Sequence, residues 1–333
     1  MSPVLHTYSQ ALYSAFDYLL DKYPDVFIIG QGLWSPWYVG NTMKDLDKKY
    51  GSQRVIDTPV AEAACTGAAL GASISGMRPI VVHPRMDFMM YASDALVNQA
   101  AKWSHMFGGQ AQAKLTIRAI INRGGEQGAQ HSQALHAWYA HVPGLRVVMP
   151  TTPADARDLL IASVMCNDPV VFIDDRWLYD IQEKVTPMRF LSLENEGPQV
   201  KISGTDFTIV ASGYSTYLAQ KAIETLSFGG LSGELIDTRV LAPLDPALII
   251  KSVLKTGRLL VVDGGTRTCG YAAELIASTV ESIDPRKLAA PPTRLTLPDA
   301  PAPTASSLER LYYPSSHAIV AKIREMFPTR GQL

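Results

Sequence analysis

A chain of 333 residues, 47% hydrophobic and 18% charged, is too apolar for a disordered or fibrous protein and long enough for two cores. Its net charge of -1 excludes the basic surface that nucleic acid or an anionic membrane would demand. No stretch reaches the ~20 apolar residues of a membrane span, and the N-terminus lacks a basic segment followed by an apolar run, so the expected location is cytoplasmic.

The first expected helix covers residues 6 to 22, where Ala11, Leu12, Ala15, Phe16, Leu19 and Leu20 form an apolar stripe ahead of Pro24. Val26 to Ile29 reads as a strand closed by Gly30, followed by the aromatic loop QGLWSPWYVGN, a helix to about Tyr50, and a strand from Val55 to Asp57. Next comes a helix of small residues whose Gly67 and Gly71, one turn apart, allow close approach to a neighbour. A strand after Pro79, a helix from about Tyr91 to Met106, and an apolar strand from Leu115 to Ile121 buried on both faces come after it. A helix through Trp138 and Tyr139, a strand from Arg146 to Met149, a helix from Pro153 to Met165 and a strand from Val170 to Ile173 complete a first α/β unit. Strands alternating with helices at this spacing imply a mostly parallel open sheet.

Residues 181–205 lose the rhythm and read as a linker between a domain of residues 1–180 and a smaller α/β domain of 206–333. There FTIVA, ELIDT, RLLVVD and Thr293 to Leu297 are the strands, and 215–227, 246–255, 270–282 and Ser315 to Met326 the helices. PDAPAPTASS is too proline-rich for regular structure. Cys65, Cys166 and Cys269 follow no metal-ligand spacing and read as buried thiols of a reducing compartment.

Parallel sheets gather the loops at their C-terminal strand ends to one edge. Here those loops carry Gln31 and Trp34, Glu62, Arg85 to Phe88, and Arg123 to His131. Glu62, the one carboxylate of a small-residue helix, is either favoured by the helix N-terminus or buried against a group that wants an acid. His131 suits an active-site imidazole, or Gln130, His131 and Ser132 simply cap a helix. Met86 and Phe88 are core residues or a face for a planar ring, and Arg85 pairs with a substrate anion or forms a surface salt bridge. RGGEQG is a weak phosphate cradle, without the P-loop lysine, and GGTRTCG reads as tight packing. His131, His136 and His141 share no ligand-binding face, so no metal site is expected.

Taken together, Asp57-Thr58-Pro59 with Ala61-Glu62, Gly76-x-Arg78-Pro79, Phe88, Asp94 with Ala100-Ala101-Lys102, and QHSQ at 130 to 133 resemble the β subunits of thiamine-diphosphate-dependent 2-oxoacid dehydrogenases. Ala137-Trp138-Tyr139, Pro143-Gly144-Leu145 and Asn167-Asp168-Pro169-Val170 extend the resemblance through the first half. Gly204-Thr205-Asp206, Ile236-Asp237-x-Arg239, Pro243-Leu244-Asp245 and Lys255-Thr256-Gly257-Arg258 carry it collinearly to about residue 327.

The resemblance implies a pyrimidine-binding thiamine-diphosphate domain followed by a transketolase C-terminal-type domain. Glu62 matches the glutamate that hydrogen-bonds the pyrimidine and promotes the tautomer that deprotonates the thiazolium carbon; Phe88 matches the stacking aromatic, and His131 the histidine facing substrate. Gln31 and Met86 join them as cofactor contacts, and Arg85 with His131 as substrate contacts. The family holds diphosphate and magnesium through a G-D-G motif, which this sequence lacks. That implies a separate α subunit, an α2β2 assembly and, in the standard case, a lipoyl-bearing acyltransferase receiving the acyl group.

Three positions depart from the family pattern: Gly30-Gln31-Gly32 in place of G-E-D, His83-Pro84-Arg85 after the strand, and Asp263-Gly264-Gly265 in place of H-E-A. They keep open a split transketolase-like carboligase or ketol transferase. A non-catalytic structural or regulatory subunit is the further alternative.

Overall fold

The computed structural model describes residues 4–35 and 37–327; Pro36, inside the expected aromatic loop, lies outside the described residues. Two compact units emerge. The first comprises the chain to Arg123, Gln130–Glu196 and Val240–Pro243; the second comprises Gly124–Ala129, Gly197–Arg239 and the chain from Leu244.

The first unit opens with β1 (Leu5–Thr7) and α1 (Tyr8–Lys22). The start of α1 is fixed by a capping box: Thr7 Oγ1 accepts the Gln10 amide and Gln10 Oε1 accepts that of Thr7. There follow β2 (Val26–Gln31), α2 (Leu46–Tyr50), β3 (Val55–Thr58), α3 (Glu62–Ile74) and β4 (Arg78–His83). Then come α4 (Ala101–Met106), β5 (Thr116–Ile121), α5 (His136–Ala140) and β6 (Arg146–Val148). Next are α6 (Pro153–Met165), β7 (Val170–Asp175) and β8 (Gln182–Lys184). Thr152 caps α6, with Pro153 in its first turn.

In the second unit, β9 (Gln199–Ile202), β10 (Phe207–Ala211), α7 (Tyr214–Ser227) and β11 (Gly233–Asp237) are followed by β12 (Val240–Ala242), which belongs to the first. After it come α8 (Ala247–Thr256), β13 (Leu259–Thr266), α9 (Tyr271–Val280), β14 (Thr293–Leu297), α10 (Ser306–Tyr312) and α11 (Ser316–Glu325). The strands order as β14-β13-β10-β11-β9, parallel except for β9. Phe207, Leu235, Leu260 and Ile223 bury its core with Ile319 and Ile323 of α11.

The seven-stranded sheet of the first unit runs β12-β6-β7-β5-β4-β2-β3, with only β12 antiparallel. A two-domain α/β fold with mostly parallel sheets is thus what the sequence leads one to expect. Residues 181–205 hold β8, antiparallel to β1, and β9. The same stretch is tied to α6, where Arg157 donates to the carbonyls of Thr186 and Pro187 and Arg189 pairs with Asp155 and Asp158. The proline-rich segment ends earlier than expected, since α10 begins at Ser306 inside it.

The strand expected to be apolar, β5, is buried at every residue yet carries Arg118 at its centre. Arg118 grips Asp174 of β7 through two bonds, Nε to Oδ1 at 3.1 Å and Nη2 to Oδ2 at 2.8 Å, with both side chains 0% exposed. It also donates to Thr42 Oγ1 and Tyr179, and lies over the Phe16 ring. Burial opposes the Arg118 charge, but Asp174 and Tyr179 more than restore it, leaving the pKa above its ordinary value. Arg118→Met should therefore destabilise the chain by about 3–5 kcal/mol, because it strands the Asp174 carboxylate, and Arg118→Met/Asp174→Leu should recover much of that loss. Urea unfolding of the two variants measures both effects.

Candidate active site

Glu62 stands at the first turn of α3, directly after β3, at the C-terminal edge of the parallel sheet. No side chain caps that helix, and the half-buried Glu62 carboxyl has no hydrogen bond or ion pair among the described residues. It lines a cleft with Gln31, Thr58, Cys65, His83 and Pro84. The cleft encloses about 10 Å³, room for roughly one water. The Thr58 hydroxyl on its wall is buried and has no partner among the described residues.

Two glycines shape this edge. A Cβ on Gly30 would lie 2.4 Å from the Val82 carbonyl oxygen, so β2 and β4 approach closely only because none is there. Gly32, at φ 69°, turns the chain beneath Tyr38, whose ring a Cβ would meet at 2.5 Å. Asp57 then accepts the Leu33 amide, and Gln31 Nε2 donates to the Tyr38 hydroxyl at 2.7 Å. The outer face of α3 differs from expectation: Ala63, Ala64, Gly67, Ala68 and Gly71 are exposed, and apart from the adjoining residues and the helix's own backbone no atom of the described residues lies within 4 Å of a would-be Cβ on either glycine.

The expected helix from Tyr91 to Met106 is three segments: a tight 3-10 run (Met86–Ala92), a wide π run (Asp94–Ala100) and α4. The first positions Phe88, whose ring meets that of His131 edge-on at 5.3 Å between centroids. His131 lies in an irregular loop and α5 starts only at His136, which removes the helix-capping reading. Met86 is fully buried beneath this turn, and its sulfur accepts the Leu135 amide. Asp87, 5% exposed, accepts both the backbone and side-chain N–H of Gln133 on Oδ1. Nothing in the sequence singled out Asp87 except a carboxylate set between Met86 and Phe88.

Arg85 begins the same turn, with its carbonyl accepting the Phe88 amide and its Nη1 donating to the Pro84 carbonyl. Burial, then the nearby Arg176 charge, holds its pKa below the ordinary value. Arg176 follows β7 and donates to the Tyr38 carbonyl at 2.5 Å. At the end of β5, Arg123 pairs with Asp175.

Other expectations change. The amides of the RGGEQG loop are already engaged within the second unit, Gly124 by the Tyr313 hydroxyl and Glu126 by Glu309. GGTRTCG is close-packed: a Cβ on Gly270 would lie 2.1 Å from the Thr266 carbonyl oxygen. Of the cysteines only Cys166 is buried; Cys65 is half-buried at the cleft and Cys269 exposed at a turn.

His83, 2% exposed, places Nε2 3.3 Å from Thr66 Oγ1, and burial lowers its pKa from 6.5 to about 4. Across that window the unfolded chain binds a proton that the folded chain refuses. Stability is therefore full above pH 6.5 and falls as pH drops toward 4, by at most about 3 kcal/mol. His83→Gln should flatten this slope in urea unfolding compared between pH 7 and pH 4.5; an unchanged slope would assign the acid sensitivity elsewhere.

Family models match residues 6–182, as the transketolase pyrimidine binding domain, and residues 198–319, as the transketolase C-terminal domain. The β subunit of acetoin:2,6-dichlorophenolindophenol oxidoreductase from Cupriavidus necator is 37% identical over 325 residues, 95% of each chain. Pyruvate dehydrogenase E1 component subunit beta-1, mitochondrial, from Arabidopsis thaliana is 39% identical over 318 residues, 94% of this chain and 87% of that one. Among solved structures, a split gene transketolase described as an inactive β4 tetramer shares the fold, with TM-score 0.74 at 19% identity, covering 96% of this chain and 97% of the other. The chain belongs to the transketolase family, among the β subunits of thiamine-diphosphate-dependent 2-oxoacid dehydrogenases.

Proposed function

We propose that this chain supplies the pyrimidine side of a thiamine diphosphate site, with diphosphate and magnesium held by a separate α subunit in an α2β2 assembly. The observation that carries this reading is the Glu62 carboxyl, without a partner among the described residues, in a cleft at the same sheet edge where Phe88 meets His131. The residues present fit a pyrimidine: an acid, an unpartnered buried hydroxyl on Thr58, an amide on Gln31 and an aromatic ring on Phe88. A cleft of about 10 Å³ encloses no such ring by itself, which agrees with a site completed by another chain.

When bound, thiamine diphosphate would supply an acidic thiazolium carbon that becomes the nucleophile and a thiazolium ring able to take up the electron pair left when a 2-oxoacid loses carbon dioxide. Glu62 would hydrogen-bond the pyrimidine nitrogen and exchange a proton with it, and Phe88 would offer the ring a flat apolar face. Gln31, fixed by Tyr38, hydrogen-bonds the cofactor's polar edge, while Met86 backs the turn from below. His131 gives a proton or hydrogen bond to the oxygen of the reacting carbonyl. Arg85, half-buried one turn from Phe88, pairs with the substrate carboxylate. The acyl-anion equivalent left by decarboxylation would pass to the lipoyl disulfide of an acyltransferase, which is reduced to the dithiol level as it takes the group up as an acyl thioester. No described helix is long and apolar enough to cross a membrane, and the cytoplasm is the proposed compartment.

Glu62→Gln should lower turnover of the assembled complex by roughly 10²–10⁴-fold, with its size-exclusion profile unchanged; near-normal turnover would sink the assignment. In calorimetry with thiamine diphosphate and magnesium, the lone chain should bind weakly and the complex tightly. Tight binding by the lone chain would contradict the shared site.

A further inference from the structure

We propose that Asp87 is the positioning residue for His131: its buried carboxylate holds residues 130–135 so that the imidazole stays edge-on to Phe88. The segment from Gln130 to Leu135 has no helix or strand to fix it. Its restraint comes instead from two consecutive residues of the Phe88 turn. Asp87 Oδ1 accepts the Gln133 backbone N–H at 3.1 Å and its Nε2 at 2.9 Å, and Met86 Sδ accepts the Leu135 amide at 3.4 Å. The two residues before Phe88 thus both grip the loop that carries His131, joining the Phe88 turn to that loop at two points.

Asp87 is expensive for the fold. Its Oδ2 is buried with no partner among the described residues, and burial raises its pKa against the opposing effect of the Gln133 hydrogen bonds and the His131 charge. A buried carboxyl left half-unpaired weakens stability, so its benefit lies in the loop it orders. Oδ1 does the holding, and an amide oxygen in the same place would hold as well.

The proposal rests on His131 meeting the reacting atoms, and the experiment separates the two. In the assembled complex, Asp87→Ala should reduce kcat by about 10–100-fold with KM little changed, as expected for a displaced group, and Asp87→Asn should restore most of it. In a His131→Ala background, Asp87→Ala should add less than about twofold, because two residues acting as one unit are not additive. An equal loss in both backgrounds would overturn the proposal, since Asp87 would then act elsewhere. Wild-type turnover in His131→Ala alone would overturn the reading of His131 and the positioning role with it. Independently of turnover, amide hydrogen exchange on the purified chain should show protection at Gln133 lost in Asp87→Ala and kept in Asp87→Asn. Unchanged protection in the alanine variant would also refute the proposal. Gln133→Ala, at an exposed position, should show a partial loss of both kcat and protection, which guards against misfolding of the core variant.

Discussion

The sheet of the first unit is organised around a charge in its interior. Arg118 on β5 and Asp174 on β7 are fully buried, and each makes bonds that no apolar pair would make: to Thr42 in the segment after β2, and to Tyr179 beyond β7. Tyr179 in turn stacks on Tyr8 at the start of α1. The pair therefore fixes more than two strands. It sets where the chain leaving β2 returns to the sheet, and hence where Tyr38 stands over Gln31. Removing either charge leaves the other uncompensated, so the site edge inherits a rigidity that hydrophobic contact alone would not give it.

Much of this was legible in the sequence because it rests on local chemistry. An apolar stripe at helical spacing marked α1, Pro153 the start of α6, and the alternation of elements the parallel sheets. What escaped was non-local. Arg118 in an otherwise apolar run has no sequence signal for its partner, 56 residues away. The segments from Met86 to Ala100 take 3-10 and π geometry in place of a regular helix, a case where tertiary context overrides a helical pattern. The strand β12 could not be assigned to the first unit from its position inside second-unit sequence, because register across a sheet is not written in spacing.

The candidate site shows the same division. Glu62, Phe88 and His131 were conspicuous by type and setting, and the structure puts all three beyond strand ends at one sheet edge, with Phe88 and His131 in contact. The residues that hold them were silent. Asp87 looked like any carboxylate, and Gly30 like any strand-ending glycine, until a hydrogen-bond partner and a neighbouring carbonyl gave each a reason. His83, a departure from the family pattern, is a buried imidazole on the wall of the cleft, and burial lowers its pKa to about 4. Glu62 is the one carboxylate among the residues lining the cleft.

The placement of β12 has a bearing on inheritance as well as on folding. Three residues coded well inside second-unit sequence form the last strand beside β6. A chain ending after Glu196 would uncover β6 as a raw sheet edge, with unpaired backbone groups open to any passing strand. The two units are thus sewn together at the level of the gene. A single cut after Glu196 therefore separates β6 from its edge partner and does not divide the chain along the boundary of the two units.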